Sequence, residues 1–395
     1  MHILIICNEH PPGKRIGGIG YFTQKLSSAI VQCGHKCTVI GLYSDIDYNI
    51  DNINENGVRL IKISVKRKIP GFGLINGRIK LFRYIKKINR ETPVDLVESP
   101  DYEGNYWLIP KLPFPKVVRL HGSETYFRTI LGDKLKWIYK LIESKSILKA
   151  NGIVSVSDYT LKKTLEIFNI KKDSIITDVI YNHIILDDIN KIIDANSNKT
   201  IKNRIIYTGT FIRKKGVIDL FKSLEYIFDK IDDAHLVCIG NDSSDIKTNN
   251  ISTKNVAFNR LPEKYHNRVK FLGRVESHEE LLKQVLLSSV CVYPSYLEAC
   301  PTVWLEAMSM KKPVVASNTG SGPEIIDHGV SGLLCHPSDH KKMANHILYL
   351  LENKEKAKEM GNQARLRVEK LFNMDNLIKK NISFYKQTID FFRNI

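Results

Sequence analysis

The stretch "SVCVYPSYLEACPTVWLEAMSM", residues 289–310, changes its pattern of apolar residues halfway along. Its first part is short, apolar and β-branched, which is typical of a strand buried on both faces. A loop follows, and Pro301 then predicts the start of a helix, because the first helical residue needs no amide hydrogen. The stretch therefore predicts a strand, a loop that carries Glu298, and a helix with Glu306 about a turn and a half inside it.

The same alternation of short apolar runs and longer amphipathic stretches continues along the chain, as in "KVVRLHG" at 116–122 and "NRIIYTG" at 203–209. It predicts parallel sheets covered by helices. The pattern restarts after a polar stretch at 188–203, which we predict to be a linker between an N-terminal domain, 1–187, and a C-terminal domain, 204–374. The predicted fold class is α/β, with two doubly wound parallel-sheet (Rossmann-like) domains facing a crevice at the carboxyl ends of their strands.

Size and composition are those of a globular protein. A chain of 395 residues is long enough for two domains. Its composition is 43% hydrophobic and 26% charged, and no apolar run approaches the roughly 20 residues of a membrane-spanning helix. No charged leader or cleavage site marks the N-terminus, so a cytoplasmic location is predicted. The seven cysteines lack paired metal-ligand spacing and are predicted to be reduced and mostly buried.

The net charge of +17 is distributed unevenly. Residues 1–185 carry a net charge of +11 and residues 186–395 carry +6. Such a surplus indicates an anionic partner, which could be nucleic acid, acidic lipid or a phosphorylated substrate. Charge alone does not choose among these three.

The helix predicted at Pro301 supplies a binding site for an anion. The first amides of a helix have no partner within it, so the amides of Thr302, Val303 and Trp304 favour a group such as a phosphate. Glu298 lies at the mouth of this helix and can accept hydrogen bonds from hydroxyl groups, while Glu306 can do so lower down. A sugar nucleotide has hydroxyl groups on both sides of a diphosphate, which fits this arrangement.

Residues 293–335, "YPSYLEACPTVWLEAMSMKKPVVASNTGSGPEIIDHGVSGLLC", closely resemble the donor-binding signature of glycosyltransferase family 4, a group of retaining enzymes with the GT-B fold. The resemblance implies a nucleoside-diphosphate sugar as donor. It places Glu298 at the sugar hydroxyls near the reacting carbon and Glu306 at the ribose. The helix start, 301–303, is then also part of the donor site.

A basic turn in "IIYTGTFIRKKGVIDL", residues 205–220, suits the diphosphate leaving group, whose negative charge grows as the glycosidic bond breaks. The family has a Gly-Arg…Lys-Gly pattern here, which Gly209 and Lys215 match. The arginine of the pattern falls at Thr210, so the sequence departs from the family at this position. Either Arg213 reaches the same phosphate from the turn, or the site has one cation fewer.

A glycine-rich segment, "PPGKRIGGIGYF" at 11–22, follows the first strand and precedes a helix. Gly17, Gly18 and Gly20 would let the backbone approach a phosphate closely. A dinucleotide-binding fingerprint is not matched, because the glycines come about ten residues after the strand, Thr23 occupies the third glycine position and no acidic residue ends the second strand. Family members have a Gly-Gly loop here, near the donor diphosphate and the acceptor.

His121 ends a predicted strand in "KVVRLHGSE", residues 116–124. The resemblance makes this histidine a contact to the transferred sugar. A purely structural role is the alternative, since a histidine at a strand end is more often structural than functional.

Metal chemistry has one candidate, because Asp45 and Asp47 have the Asp-x-Asp spacing that the other large glycosyltransferase fold uses for a divalent ion. They lie early in the chain, in a polar loop, and the rest of the sequence resembles the metal-independent fold. A solvated loop is favoured, and no metal and no cofactor is expected.

Residues 59–90 contain eleven Lys and Arg residues and no acidic residue. Ile75, Ile79, Phe82 and Ile85 have helical spacing, so the segment predicts a basic amphipathic helix of the kind that binds an anionic membrane surface. The alternative is that this apolar stripe packs on the sheet of the first domain and the basic residues are solvated. Both can hold at once.

Together these features predict a retaining glycosyltransferase that moves a hexose-like sugar onto a glycan or glycolipid acceptor held by the first domain, in bacterial surface polysaccharide synthesis. His121, Lys215 and Glu298 would carry the reaction, on the inner face of the cytoplasmic membrane. A C-terminal helix, about 375–395, is predicted to complete the first domain. The alternatives are a GT-B nucleotide-sugar epimerase and a basic nucleic-acid-binding protein, although no aromatic-basic recognition motif supports a nucleic acid partner.

Overall fold

The computed structural model describes residues 1–11, 17–54, 56–65, 72–172, 175–196, 200–249, 251–275 and 277–394. The chain forms two compact units. The N-terminal unit comprises Met1–Asn182 together with Asp375–Ile395, and the C-terminal unit comprises His183–Met374.

The N-terminal unit is built on a sheet with the strand order β3-β4-β2-β1-β5-β6-β7-β8. Its strands are β1 (His2–Ile6), β2 (Lys36–Tyr43), β3 (Ile50–Ile53), β4 (Arg59–Ser64), β5 (Leu96–Pro100), β6 (Lys116–Leu120), β7 (Gly152–Ser155) and β8 (Ile176–Val179). All neighbouring strands are parallel except β3 and β4. Helices α1 to α5 are Gly18–Gln32, Phe72–Glu91, Glu124–Leu131, Trp137–Ile147 and Asp158–Ile167.

The C-terminal unit has a parallel sheet with the order β11-β10-β9-β12-β13-β14. Its strands are β9 (Arg204–Thr208), β10 (His235–Ile239), β11 (Val269–Gly273), β12 (Val290–Tyr293), β13 (Val314–Ser317) and β14 (Leu333–Cys335). Its helices are α6 (Leu186–Ala195), α7 (Val217–Phe228), α8 (Thr253–Phe258), α9 (His278–Leu286), α10 (Thr302–Ser309), α11 (Gly322–Ile325), α12 (His340–Glu352) and α13 (Lys354–Leu371). Two short 3₁₀ helices, Arg213–Lys215 and Glu263–Arg268, complete the unit.

Both sheets are doubly wound, so the predicted α/β fold class is confirmed. The strand order reverses at β1 in the first sheet, which lies between β2 and β5, and at β9 in the second, which lies between β10 and β12. Every residue of β1, β9 and β12 is buried, as the unbroken apolar runs predict. In doubly wound sheets, ligands bind at the carboxyl ends of the strands beside such reversals.

Helix starts follow local sequence. Five of the described helices begin after a Ser or Asp whose side chain accepts a hydrogen bond from a first-turn amide, which satisfies an otherwise unpaired donor. These residues are Ser123, Ser157, Ser252, Ser277 and Asp339. No helix within the described residues is both long enough and apolar enough to cross a lipid bilayer.

The stretch predicted as a linker, 188–203, is not irregular throughout, because α6 occupies its first part. The boundary between the units falls slightly earlier in the chain, after Asn182. The remainder of the predicted linker includes residues 197–199, which lie outside the described residues.

The last helix, α14 (Met374–Arg393), packs on the sheet of the N-terminal unit. Arg119 on β6 forms a buried ion pair with Glu98 on β5, at 2.7 Å between Nε and Oε1. From α14, Asn381 Oδ1 accepts a hydrogen bond from Arg119 Nη2 at 2.6 Å, and the Tyr385 hydroxyl donates to Glu98 Oε2 at 2.7 Å. The helix therefore adds hydrogen-bond partners to a charged pair that would otherwise be buried with fewer of them.

Candidate active site

Two loops meet at the carboxyl ends of β9 and β12. Gly216 closes the 3₁₀ turn after β9 with φ +67°, and a side chain here would overlap the carbonyl oxygen of Pro294. The amide of Tyr296 donates to the carbonyl oxygen of Lys214 at 2.7 Å. The backbones of the two loops therefore touch, and this fixes the distance between the side chains they carry.

The side chains brought together are Lys215 and Glu298. Lys215 Nζ lies 2.5 Å from Glu298 Oε1, and Glu298 is only 7% exposed. Burial disfavours the charged carboxylate, but the ammonium groups of Lys215 and Lys214 outweigh it, so the pKa of Glu298 is lowered. The site thus holds a charged carboxylate beside a cation at the edge of the sheet where ligands bind.

A third loop, after β13, supports the backbone of the second. The Ser321 hydroxyl donates to the carbonyl oxygen of Glu298 at 3.2 Å, and the Thr319 hydroxyl donates to that of Ser295 at 3.1 Å. Gly320 between them has φ +58° and lies against the Glu298 backbone. The sequence analysis gave these residues no role, although small polar residues after the run "PVVAS" were a signal for a tight loop at a strand end.

Helix α10 begins directly after the loop that follows β12, one residue later than predicted. Pro301 is the N-cap residue, and the helix starts at Thr302. The amide of Trp304 was expected to be available to an anion, but it donates to the carbonyl oxygen of Pro301 at 3.2 Å because the first turn closes on itself. The amides of Thr302 and Val303 remain the candidates for phosphate binding.

Glu306 lies inside α10 and is 8% exposed. Its Oε1 is 2.9 Å from Nε2 of His278, the first residue of α9. The sequence analysis did not identify His278. The motif "SHEE" at 277–280 marks a helix start, but nothing in the sequence indicates that this start faces Glu306.

Arg213 does not point toward Glu298 in the structure. Its guanidinium forms a two-pronged ion pair with Asp245, through Nε to Oδ1 and through Nη2 to Oδ2 at 2.6 Å. Asp245 is buried, and the hydrogen bonds from Arg213 lower its pKa to about 2. For Arg213 to bind the phosphate in place of the family arginine, its ion pair with Asp245 would therefore have to open.

Gly209 directly follows β9, with φ +152°, a backbone conformation that favours glycine. Its amide donates to the carbonyl oxygen of Ile239 at 2.9 Å, so the turn stays attached to β10. Thr210, at the position of the family arginine, accepts a hydrogen bond from the Tyr207 hydroxyl through its carbonyl oxygen at 3.0 Å.

The glycine-rich segment, 11–22, belongs to the N-terminal unit. Its residues 12–16 lie outside the described residues, and Gly17 to Phe22 form the start of α1. Gly17 is the N-cap of α1. A side chain at Gly20 would overlap the carbonyl oxygen of Glu9, so this glycine allows the helix to lie close to the end of β1. Gly18 has open space where a side chain would be, so its backbone could be approached by a ligand.

His121 also lies in the N-terminal unit, at the end of β6. Its ring contacts Phe22 edge-on, with 4.8 Å between ring centroids. Its amide donates to Asp101 Oδ1 at 3.0 Å, and the next amide, of Gly122, donates to Asp101 Oδ2 at 3.1 Å. The amides of Glu124 and Thr125 donate to the two carboxylate oxygens of Glu143.

Asp101 and Glu143 are thus two buried carboxylates that fix the backbone around His121. Burial raises the pKa of Asp101 to about 7, and the nearby charge of Glu143 adds to this rise. Burial also raises the pKa of Glu143. The sequence analysis did not find either residue, since each is about 20 positions away from the amides it binds.

The basic segment 59–90 is divided between internal and exposed roles, and its residues 66–71 lie outside the described part. Arg59 pairs with Asp51 and Glu91, and Arg78 is buried and donates to the Glu103 carbonyl oxygen. The predicted apolar stripe on α2 is also split. Ile85 is buried in the core, Phe82 is half-buried, and Ile75 and Ile79 are 42% and 44% exposed.

Asp45 and Asp47 lie in the loop between β2 and β3. Among the described residues there is no group of three or more His, Cys, Asp and Glu side chains that could hold a metal ion. The described cysteines are free thiols, of which Cys33 is exposed and the other six are buried.

Two family models match the chain, one for each half. The model "Glycosyltransferase Family 4" matches residues 16–188, and the model "Glycosyl transferases group 1" matches residues 188–367. The first match includes Gly17, Gly18, Gly20 and His121, and the second includes Lys215, Glu298 and Glu306.

Similar proteins include an uncharacterised glycosyltransferase of Methanocaldococcus jannaschii, 27% identical over 84% of this chain and 87% of the relative. A capsular polysaccharide biosynthesis glycosyltransferase of Staphylococcus aureus is 22% identical over 82% of this chain and 83% of its own. Among solved structures, Anabaena HepE in complex with UDP and glucose superimposes with a TM-score of 0.73 at 16% identity, covering 98% of this chain and 100% of that one. The similarity to HepE shows that the chain has the GT-B fold. The matches across both halves show that this chain is an enzyme of glycosyltransferase family 4.

Proposed function

We propose that the enzyme transfers a hexose-like sugar, with retention of the anomeric configuration, from a nucleoside-diphosphate sugar to a lipid-linked glycan. The observation that carries this proposal is the Lys215–Glu298 pair at the carboxyl ends of β9 and β12, next to the first amides of α10. A cation beside a charged carboxylate suits a ligand that presents phosphate oxygens and hydroxyl groups side by side.

In the proposed donor complex, Lys215 and the amides of Thr302 and Val303 bind the diphosphate. Glu298 exchanges its bond with Lys215 in part for bonds with sugar hydroxyls, and Glu306 accepts from the ribose. The superimposable HepE structure with bound UDP and glucose supports a donor of this kind. Arg213 would join the diphosphate only if its pair with Asp245 opened.

The proposed reaction breaks the bond between the anomeric carbon and the diphosphate oxygen and forms the bond to the acceptor oxygen on the same face of the sugar. The acceptor proton moves to an oxygen of the departing diphosphate. Lys215 and the helix amides stabilise the charge that grows on this leaving group, so no metal and no protein nucleophile is proposed. We assign His121 to contact with the transferred sugar, with Asp101 and Glu143 as positioning residues that fix its backbone.

A lipid-linked acceptor, used in bacterial surface polysaccharide synthesis, is supported by the relative that acts in capsular polysaccharide biosynthesis. It is also supported by two exposed apolar groups on the N-terminal unit. On α2, Leu74, Ile75 and Ile79 are exposed, with Arg83 and Lys86 on the same helix. An exposed mixture of apolar and basic side chains is typical of a surface that docks on anionic lipid.

The second exposed group lies on α4, where Trp137 is 74% exposed and Tyr139 and Leu141 are also exposed. Helices α2 and α4 pack on one turn, the segment after β5. Arg78 of α2 donates to the Glu103 carbonyl oxygen of this turn at 2.7 Å, and Gly104 in the turn lies against Ile142 of α4. Both helices thus contact the same turn, and we propose that their exposed groups together form a surface that lies on the inner face of the cytoplasmic membrane.

Donor use is tested by measuring nucleoside diphosphate release from a panel of UDP-, GDP- and other activated sugars, with and without bacterial lipid extract. We expect release from one donor, stimulated by the extract, and loss of release in Glu298→Ala and Lys215→Ala. Glu359→Ala and Lys356→Ala are the matched controls, because they remove an ion pair on α13 that is exposed, whereas the Lys215–Glu298 pair is largely buried. If no donor is consumed or bound, the proposal is wrong. Conversion of a donor to free nucleoside diphosphate and an epimerised sugar without an acceptor would instead indicate an epimerase.

Membrane docking is tested by flotation with vesicles of phosphatidylglycerol and phosphatidylcholine, compared with vesicles of phosphatidylcholine alone. We expect the protein to float only with the anionic vesicles, less so at high salt, and Trp137→Ser to weaken the binding. Equal behaviour of wild type and Trp137→Ser would contradict the role of α4.

A further inference from the structure

The C-terminal unit has a cavity of about 360 Å³ at the edge of its sheet opposite the donor site. Its walls come from the segments that lead into three strands, 202–203 before β9, 288–289 before β12 and 311–313 before β13. Helices α12 and α13 close the other side. The cavity is thus separated from Glu298 by the length of the strands, and the donor site does not account for it.

Five lysines line this cavity, and none of the described lining residues is acidic. These residues are Lys202, Lys311, Lys312, Lys354 and Lys358. Lys202 pairs with Asp233 at 3.1 Å, so its charge is partly neutralised from outside. Lys354 and Lys358 are exposed on successive turns of α13, on the same face of the helix.

Lys312 differs from the other four because it is 93% buried, with 7% of its surface exposed. Within the described part of the chain its ammonium donates a hydrogen bond to the Thr200 hydroxyl at 3.1 Å. An ammonium has three donors, and a buried ammonium without an anion is costly. Burial accordingly lowers the pKa of Lys312. The protein keeps a cation at the wall of a basic cavity where an apolar side chain would cost less.

The start of α13 also lies at this cavity, and Lys354 is the first residue of this 18-residue helix. The partial positive charge of its first turn is offset by Glu355 in the same turn and by the C-terminal end of α12 at Glu352. The buried lysine and the exposed lysines therefore supply the positive potential of the cavity.

We propose that this cavity binds a small phosphorylated anion, as a second site distinct from the donor site. Its volume lies within the range of small-molecule sites. Lys312 would bind a phosphate oxygen from the buried side, and Lys311, Lys354 and Lys358 would bind the remaining charge from the rim. This inference does not depend on the identity of the sugar donor.

The test uses inorganic pyrophosphate as the probe and measures the acetylation rate of each lysine in the full-length protein by mass spectrometry. We expect pyrophosphate to protect Lys311, Lys354 and Lys358, by about tenfold when its concentration is about ten times the dissociation constant. Sodium chloride at equal ionic strength should not protect them. Lys356 is the control, because it lies on α13 but does not line the cavity. Protection of Lys215 reports the donor site separately.

Lys312→Met should abolish the protection of the rim lysines and leave the protection of Lys215 unchanged. Since a buried substitution can disturb folding, Lys358→Glu serves as a second variant on the exposed rim, and it should weaken the protection of Lys354. The proposal is overturned if pyrophosphate leaves the rim lysines as reactive as chloride does, or if both variants retain full protection.

Discussion

Glu298 and Asp101 are both buried carboxylates at the carboxyl end of a strand, but their pKa values shift in opposite directions. Burial alone would raise both. Asp101 has three backbone amides as partners and a second carboxylate, Glu143, nearby, and its pKa rises to about 7. Glu298 has the ammonium groups of Lys215 and Lys214, and its pKa falls.

The difference separates Glu298, the carboxylate that we propose to bind the donor, from Asp101, the carboxylate that we propose to position His121. Glu298 remains charged at neutral pH and lies next to Lys215, a partly exposed cation that a ligand could share. Asp101 is fully enclosed and bound to the backbone, where it can fix the position of His121 but cannot reach a ligand. Neighbouring cations, more than depth of burial, decide which role a carboxylate can play.

The largest expected effect concerns the reaction itself. Glu298→Gln keeps the size of the side chain and removes the charge, and we expect kcat/KM for sugar transfer to fall by about 10²–10³, as for loss of one preorganised polar contact to the transition state. Asp101→Asn should lower it less, because Asp101 acts through His121. Steady-state kinetics on both variants measure this. A larger loss of kcat/KM in Asp101→Asn than in Glu298→Gln would contradict these two roles.

The next effect concerns stability. Lys215→Met leaves Glu298 buried without its closest cation, and because Lys215 is itself partly exposed we expect a loss of about 2 kcal/mol in the free energy of unfolding at pH 7. Adding Glu298→Gln should restore most of it. The stability that Glu298 gains from a lowered pKa is present above its unfolded pKa and is lost on acidification, so the penalty of Lys215→Met should shrink toward pH 4. Urea unfolding at both pH values tests this, and a penalty independent of pH would contradict it.

A third prediction concerns Asp101, whose raised pKa gives its contribution to stability the opposite pH dependence to that of Glu298. A folded pKa of about 7 means that folded Asp101 keeps its proton between about pH 4 and pH 7 while the unfolded chain loses it. The wild type should therefore lose stability relative to Asp101→Asn as the pH rises through this range, by at most about 1.4 kcal/mol per pH unit, with no further change above it. Urea unfolding of both proteins in parallel isolates this residue. A difference that stays flat, or grows in the other direction, would show that the three amides keep Asp101 charged.

The smallest effect concerns Lys214, which contributes charge near Glu298 and whose carbonyl oxygen, not its side chain, holds Tyr296. Lys214→Gln should preserve the loop and raise the pKa of Glu298, because it removes one of the two neighbouring ammonium groups that lower it. The acid limb of the kcat/KM profile should therefore move to higher pH. An unchanged acid limb would mean that Lys215 alone sets the charge of Glu298.

The fold and the candidate residues Glu298 and Glu306 could be predicted because the patterns that indicate them are local in sequence. Unbroken apolar runs identified β1, β9 and β12, and Glu298 and Glu306 lie within one short stretch. What could not be predicted depends on distant residues. Asp101 meets the amide of His121, Asp245 binds Arg213 and His278 faces Glu306, and each of these pairs is formed only by the folded chain. Helix α6 was missed because its polar composition resembles a linker, with Ile189 as its one buried residue.

The route of the chain through α14 has a consequence for how the protein is made. The ribosome completes the N-terminal unit's sheet early, but the partners of Arg119 on α14 are synthesised only after the entire C-terminal unit. The C-terminal unit, which is continuous in sequence, can finish folding first, although domains usually fold in the order of synthesis. A premature stop codon between Met374 and Asn381 would leave the C-terminal unit whole and damage the unit that was translated first.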